Sequence, residues 1–324
     1  MRSLVTGATG FVGSHLAETL ASRGHEVVAL ARRPEQHAAL TAAGIKPVNG
    51  SLENDRALEV ALAGVDVVYH VAGITDARNE AEFFAVNETG TRRLLDAVRR
   101  TVPGLTRFVH VSSQAAVGPS RRGEPLREEA ETHPITSYGR SKLAGELAVR
   151  GSELPWAVVR PPAVYGPRDK AFLKLFKLVR RGIAPVFGTG TQELSLVYVG
   201  DLVEALILAG TRGEANRQIF HAANREVKLS REVSRAAGTA IGANPMILPV
   251  PGPLATGVIA VIERVAAATG QRTILTTERL AEFLAPSWLL NVDKAERLLG
   301  WTAKVPLPDG LKTTGTWYKE HGWL

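Results

Sequence analysis

Apolar positions in the first half of the chain alternate between short runs and helical repeats. Residues 3–6 form one apolar run, and from 11 to 23 Phe11, Val12, Leu16 and Leu20 recur at helical spacing before Gly24 supplies a stop. The same alternation predicts strands at 26–30, 45–48, 65–71, 106–111 and 157–159. It predicts helices at 55–62, 80–100 and 138–150. The run 65–71 is apolar along most of its length, as in a parallel strand covered on both faces. Repeated β–α units of this size predict an α/β fold, a doubly wound parallel sheet with right-handed crossovers. Ligands of such sheets bind at the carboxyl ends of the strands.

After Arg160 the rhythm changes, with prolines at 161, 162 and 167. A helix is expected at 171–181 and a loop at 182–190. Strands at 193–199 and 218–222 are expected to rejoin the sheet, with a helix at 203–209 between them. The most apolar stretch, 253–269, holds Glu263 and Arg264 and is short for a membrane span. It reads as a buried or cleft-lining helix. No internal repeat or low-complexity linker interrupts the chain.

The turn Thr6-Gly7-Ala8-Thr9-Gly10-Phe11-Val12-Gly13 joins the first strand to the first helix. Glycine at 7, 10 and 13 permits a tight turn, close approach of a pyrophosphate and close helix–strand packing. The unpaired N–H groups of the helix start favour phosphate. Thr9, Gly10, Phe11, Val12 and Gly13 are therefore candidate dinucleotide contacts beside Gly7. The second strand ends Leu30-Ala31-Arg32-Arg33, without the acid that would hold a ribose 2′-hydroxyl. Guanidinium pairs with a 2′-phosphate, so Arg32 and Arg33 predict NADP(H) over NAD(H).

Tyr138 and Lys142 stand four residues apart, on one face of a helix. A lysine ammonium and an oxidised nicotinamide both favour phenolate, so the phenol is expected to titrate below its usual value of about 10. Tyr138 could then exchange a proton with a carbonyl or alcohol oxygen. Ser113, at the end of the fifth strand, could hydrogen-bond that oxygen. His70, His110 and His221 lie in or at strands and read as packing residues.

Composition narrows the classes. The 324 residues suffice for one large core, or a core with a smaller lobe. The chain has no cysteine, which excludes disulfides, thiolate metal sites and cysteine nucleophiles. No histidine–carboxylate spacing suggests a metal. The net charge of +7 comes from scattered basic pairs, which fits an anionic small ligand rather than nucleic acid. No signal peptide is legible, so the cytoplasm is the default expectation.

These motifs together resemble the extended short-chain dehydrogenase/reductase superfamily, the NAD(P)-dependent epimerase/dehydratase group. Gly7, Gly10 and Gly13 match its TGxxGxxG turn. Ser51-Leu52 stands where it usually has an Asp-Leu that contacts adenine. His70-Val71-Ala72-Gly73 matches the segment after its fourth strand, and Asn87 its helix asparagine. Ser113 takes the serine position, Tyr138 and Lys142 match YxxxK, and Pro161, Pro162 and Val164 lie in the segment beside the nicotinamide. The resemblance implies a Rossmann-type cofactor domain over 1–160, with strands returning near 194–223. A substrate-binding lobe would comprise 161–193 and 224–324. It makes Tyr138 the acid/base, with Ser113, Lys142 and Asn87 as its catalytic partners, and it implies a homodimer through the helices at 80–100 and 138–150.

Three departures bear on the reaction. Ala163 and Leu194 replace an asparagine and an arginine typical of sugar-nucleotide enzymes, and Gln114-Ala115 replaces the Asp-Glu of dehydratases. The apolar stretch after Pro253 and the C-terminal tryptophans look more like the 3β-hydroxysteroid dehydrogenase and dihydroflavonol reductase branch. The expectation is NADP(H)-linked hydride transfer to or from a relatively apolar ketone, aldehyde or alcohol. A sugar or sugar-nucleotide epimerase, and a non-catalytic NADP-binding regulator, are the alternatives.

Overall fold

The computed structural model describes residues 1–33, 35, 38–269 and 276–324. Its centre is a seven-stranded sheet, in the order Gln218–His221, Trp156–Arg160, Arg107–Val111, Val67–His70, Arg2–Thr6, Glu26–Ala31 and Lys46–Asn49. Every neighbouring pair is parallel. Successive side chains of a strand point to opposite faces, and here each face has its own core. Val5, Val67, Val109 and Ala157 pack into one, whereas Leu4, Val68, Phe108 and Val158 pack into the other. That burial on both faces explains the continuous apolar runs.

Chain order reverses between Arg2–Thr6 and Val67–His70, so a crevice opens at the carboxyl end of the first strand. The glycine turn leads out of that end into helix Phe11–Ser22. Ser112 and Ser113 follow Arg107–Val111 at the same edge of the sheet.

Several expectations are corrected. The segment 193–199 does not rejoin the main sheet. Glu193–Leu194 joins Lys228–Leu229 and Ser287–Trp288, while Leu196–Tyr198 pairs with Ala163–Tyr165. The open side of Trp156–Arg160 is already taken by Gln218–His221, which leaves no neighbour there for a further strand. The expected loop at 182–190 contains strand Ile183–Phe187, parallel to Met246–Val250. Pro185 and Pro249 are tolerated because the sheet has only these two strands. The helix expected at 80–100 is three pieces, Glu80–Phe84, a π-helical turn Ala85–Thr89, and Gly90–Thr101. Asn87 sits in the π turn, a feature common at functional sites.

Helix Gly252–Thr269 uses Ala255 and Ile259 to pack on Leu280, Phe187 and Val250. Its other side exposes Leu254, Val258 and Val261, so it is half covered rather than buried. Among the described residues, no helix is long and apolar enough to cross a membrane.

Candidate active site

The glycine turn is closed by contact. Gly7 has φ +74°, and a Cβ there would lie 2.7 Å from the Ala72 nitrogen. A Cβ on Gly13 would lie 2.1 Å from the Gly7 carbonyl oxygen. The Gly10 N–H donates to that same oxygen at 2.9 Å. No side chain caps the helix that follows, so its first N–H groups face the crevice mouth beside exposed Thr9 and half-buried Phe11 and Val12. A cradle that admits no side chain fits a pyrophosphate backbone.

Most other expected cofactor residues follow the carboxyl ends of strands in the main sheet. Arg32 and Arg33 are exposed just past the second strand. Ser51 accepts a hydrogen bond from the Glu53 N–H at 3.2 Å, and Leu52 packs over Gly90. The Val71 and Ala72 N–H groups donate to the Thr6 carbonyl and Thr6 Oγ1 at 3.2 and 3.3 Å. Gly73 has no room for a side chain: a Cβ there would meet Asn87 Oδ1 at 3.0 Å and Lys142 Nζ at 3.6 Å. Pro161 and Pro162 are buried, and the Pro161 carbonyl accepts from the Gln114 N–H at 2.8 Å. Val164 pairs with Val197 in the separate two-stranded sheet of Ala163–Tyr165 and Leu196–Tyr198.

Helix Ser137–Arg150 carries Tyr138 and Lys142. The Tyr138 phenol lies beside Ser113, whose hydroxyl favours its ionised form. Ser113 Oγ also accepts from the Ala115 N–H at 3.1 Å. The adjacent Ser112 is committed elsewhere, donating to buried Glu146 at 2.9 Å. The structure thus separates two neighbouring serines that the sequence leaves alike. Lys142 is buried and donates to the Val111 carbonyl at 2.7 Å. Burial pulls its ammonium down to about 8, against the pull of Glu146.

The phenol departs from expectation. Burial holds Tyr138 above its ordinary value, outweighing the opposite influence of Ser113. Lys142 spends its ammonium on Val111 and does not offset that penalty.

Asn87 ties the Tyr138 helix to the loop after the fourth strand. Its Nδ2 donates to Ser141 Oγ at 2.9 Å and to the Ile74 carbonyl at 3.1 Å, and its Oδ1 accepts from the Ile74 N–H at 2.9 Å. His70, expected only to pack, continues that link. Thr91 Oγ1 donates to the Asn87 carbonyl at 2.7 Å, so it accepts from His70 Nε2 at 2.9 Å. His70 Nδ1 then accepts from Thr6 Oγ1 at 2.8 Å. Burial drives the His70 pKa down to about 3, so the ring is neutral and this tautomer is fixed. A hydrogen-bonded line therefore runs from the first strand to Ser141, three residues from Tyr138. Nothing in the sequence marks it, because its members are distant in the chain.

Among the described residues, no group of histidines and carboxylates is placed to hold a metal ion.

The model of the NAD dependent epimerase/dehydratase family matches residues 3–223. The chain is 32% identical over 323 residues to a protein named ceramide reductase from Caulobacter vibrioides, covering 99% of this chain and 95% of that one. It is 31% identical over 322 residues to a 4-hydroxy-2-methyl-3-oxo-4-farnesyl-3,4-dihydroquinoline-1-oxide ketoreductase from Stigmatella aurantiaca, covering 96% and 95%. Among solved structures, MoeE5 in complex with UDP-glucuronic acid and NAD superposes with a TM-score of 0.80 at 25% identity, covering 99% of this chain and all of that one. The chain belongs to the NAD dependent epimerase/dehydratase family, and it is an NAD(P)-dependent enzyme of the extended short-chain dehydrogenase/reductase superfamily.

Proposed function

We propose that this protein is an NADP(H)-dependent reductase of a relatively apolar ketone or aldehyde, with Tyr138 as the proton donor. The observation that carries the reading is the placing of Tyr138 beside Ser113, with buried Lys142 on the same helix reaching the end of the strand that leads into Ser113. The cradle of Gly7, Gly10 and Gly13 would hold the dinucleotide pyrophosphate, and Arg32 and Arg33 the 2′-phosphate. When bound, the nicotinamide supplies hydride to the substrate carbon. Ser113 holds the carbonyl oxygen, and Tyr138 passes its proton to that oxygen as it gains charge. A phenol kept protonated by burial suits the reductive direction. Lys142 braces the end of the fifth strand through Val111, beside the serine pair.

Residues 161–193 and 224–324 would form the substrate lobe. From the cofactor domain, apolar Phe83, its ring centre 6.0 Å from that of Tyr138, would face the substrate. The relatives named for a ceramide and for a farnesylated quinoline support an apolar substrate. Ala163 and Leu194 supply neither the amide nor the cation that a sugar nucleotide would call for. A cytoplasmic homodimer completes the reading, with Leu147 exposed on the helix expected to pair.

The test is NADPH oxidation against a panel of ketones, aldehydes and sugar nucleotides, with NADH in parallel. Turnover of an apolar ketone is expected, abolished by Tyr138→Phe with NADPH binding intact. Epimerisation of a sugar nucleotide without net NADPH loss would overturn the reading.

A further inference from the structure

Helix Thr277–Leu284 lies across the start of the helix that carries Tyr138. Thr136 caps that start, its Oγ1 accepting from the Gly139 N–H at 3.1 Å and donating to Glu282 Oε1 at 3.0 Å. Ser137 sends its N–H to Glu278 at 2.7 Å and its hydroxyl at 3.0 Å. Two carboxylates thus face the positive end of the helix dipole, where anions are favoured. Arg279 lies 3.6 Å from Glu282 and donates to the Thr75 carbonyl at 2.7 Å, next to the Ile74 that Asn87 holds. The Glu282 carbonyl in turn accepts from Gln192 and Trp288 at 2.8 and 2.9 Å. One short helix from the C-terminal region therefore grips both walls around the phenol.

We propose that Glu282 is a positioning residue of the reaction, which sets the place of Tyr138 through Thr136 at the start of its helix, with Arg279 as its counterweight. This rests on the reading of Tyr138 as proton donor. Glu282 acts as a charge as well as a brace, raising the phenol's pKa while Arg279 lowers it. Other charges at that corner are Glu278 on the same helix, Arg140 and Lys142 on the Tyr138 helix, and Glu80 opposite. Glu278 and Glu80 are both paired with Arg140 at 3.0 Å, which leaves the Glu282–Arg279 pair as the one that acts on Tyr138. The carboxylate keeps the phenol protonated until the carbonyl oxygen takes the proton.

The test is a tyrosinate absorbance titration at saturating NADP+, in which the Tyr138→Phe curve is subtracted from its parent to isolate one phenol. Glu282→Gln keeps an acceptor for Thr136 and is expected to move the Tyr138 midpoint to lower pH. Arg279→Ala is expected to move it to higher pH. Midpoints unmoved in both variants, each with a native thermal melt, would overturn the proposal and leave the Tyr138 reading intact. Turnover retained by Tyr138→Phe would instead remove the reading itself, whatever the midpoints.

Discussion

Arg160 and Glu146 form an ion pair inside the protein, with Nη2 to Oε1 at 2.6 Å and side chains 1% and 0% exposed. The guanidinium forks onto both carboxylate oxygens, and Ser112 donates to one of them. A buried pair is costly to form and costlier to break. Glu146→Ala would leave Arg160 without its counter-charge beneath the serine pair, holding only the Glu128 carbonyl at 3.2 Å. A loss of about 3–5 kcal/mol in unfolding free energy is expected by urea titration.

Three buried histidines make the fold sensitive to acid. Burial lowers the pKa of His70 and of His221 to about 3, and that of His110 well below its ordinary value. In the unfolded chain each takes up a proton near pH 6.5. Below that pH the unfolded state binds more protons, so stability is present above about 6.5 and is lost progressively as pH falls toward about 3. Both His110 ring nitrogens are buried without a partner. His110→Leu should therefore be tolerated and should flatten this slope, measured as urea midpoints at pH 8, 6 and 5 (approximate set points).

Gly13 admits no side chain, since a Cβ would lie 2.1 Å from a backbone oxygen that cannot yield. Gly13→Ala should open the turn and weaken NADPH binding by at least about tenfold in a fluorescence titration. Gly24→Ala is the control: Gly24 has φ +80° but meets nothing within 4 Å, so that variant should cost stability without touching cofactor affinity.

Arg32 is exposed and next to Arg33, free to meet a 2′-phosphate from solvent. Arg32→Ala should weaken NADPH by roughly tenfold and leave NADH nearly unchanged. An equal loss for both cofactors would place the residue outside the phosphate site.

The sheet was legible because its first five strands each neighbour another strand close in the chain and carry two-faced apolar runs. The glycine turn and the candidate residues Tyr138, Lys142 and Ser113 could be singled out for a related reason, since each lies in a local motif at a predictable strand or helix end. Ile183–Phe187 was not, because its partner Met246–Val250 is remote and both strands carry proline. The π turn at Asn87 left no mark, as the hydrophobic repeat on either side stays helical. The grip of Glu278 and Glu282 on Thr136 and Ser137 joins residues some 140 positions apart, a tertiary fact with no local signature.

The division of labour between Ser112 and Ser113 rests on parity. Leaving a strand, consecutive side chains turn to opposite sides, so one serine goes inward to Glu146 and the next outward to Tyr138. A one-residue insertion within Arg107–Val111 would exchange them, turning the Ser113 hydroxyl away from Tyr138 and into the interior while every residue type was kept. The loop ahead of that strand can absorb length changes; the strand cannot. Variation among functional descendants of this chain should therefore include gaps near Thr101–Thr106 and substitutions, but never gaps, from Arg107 to Ser113.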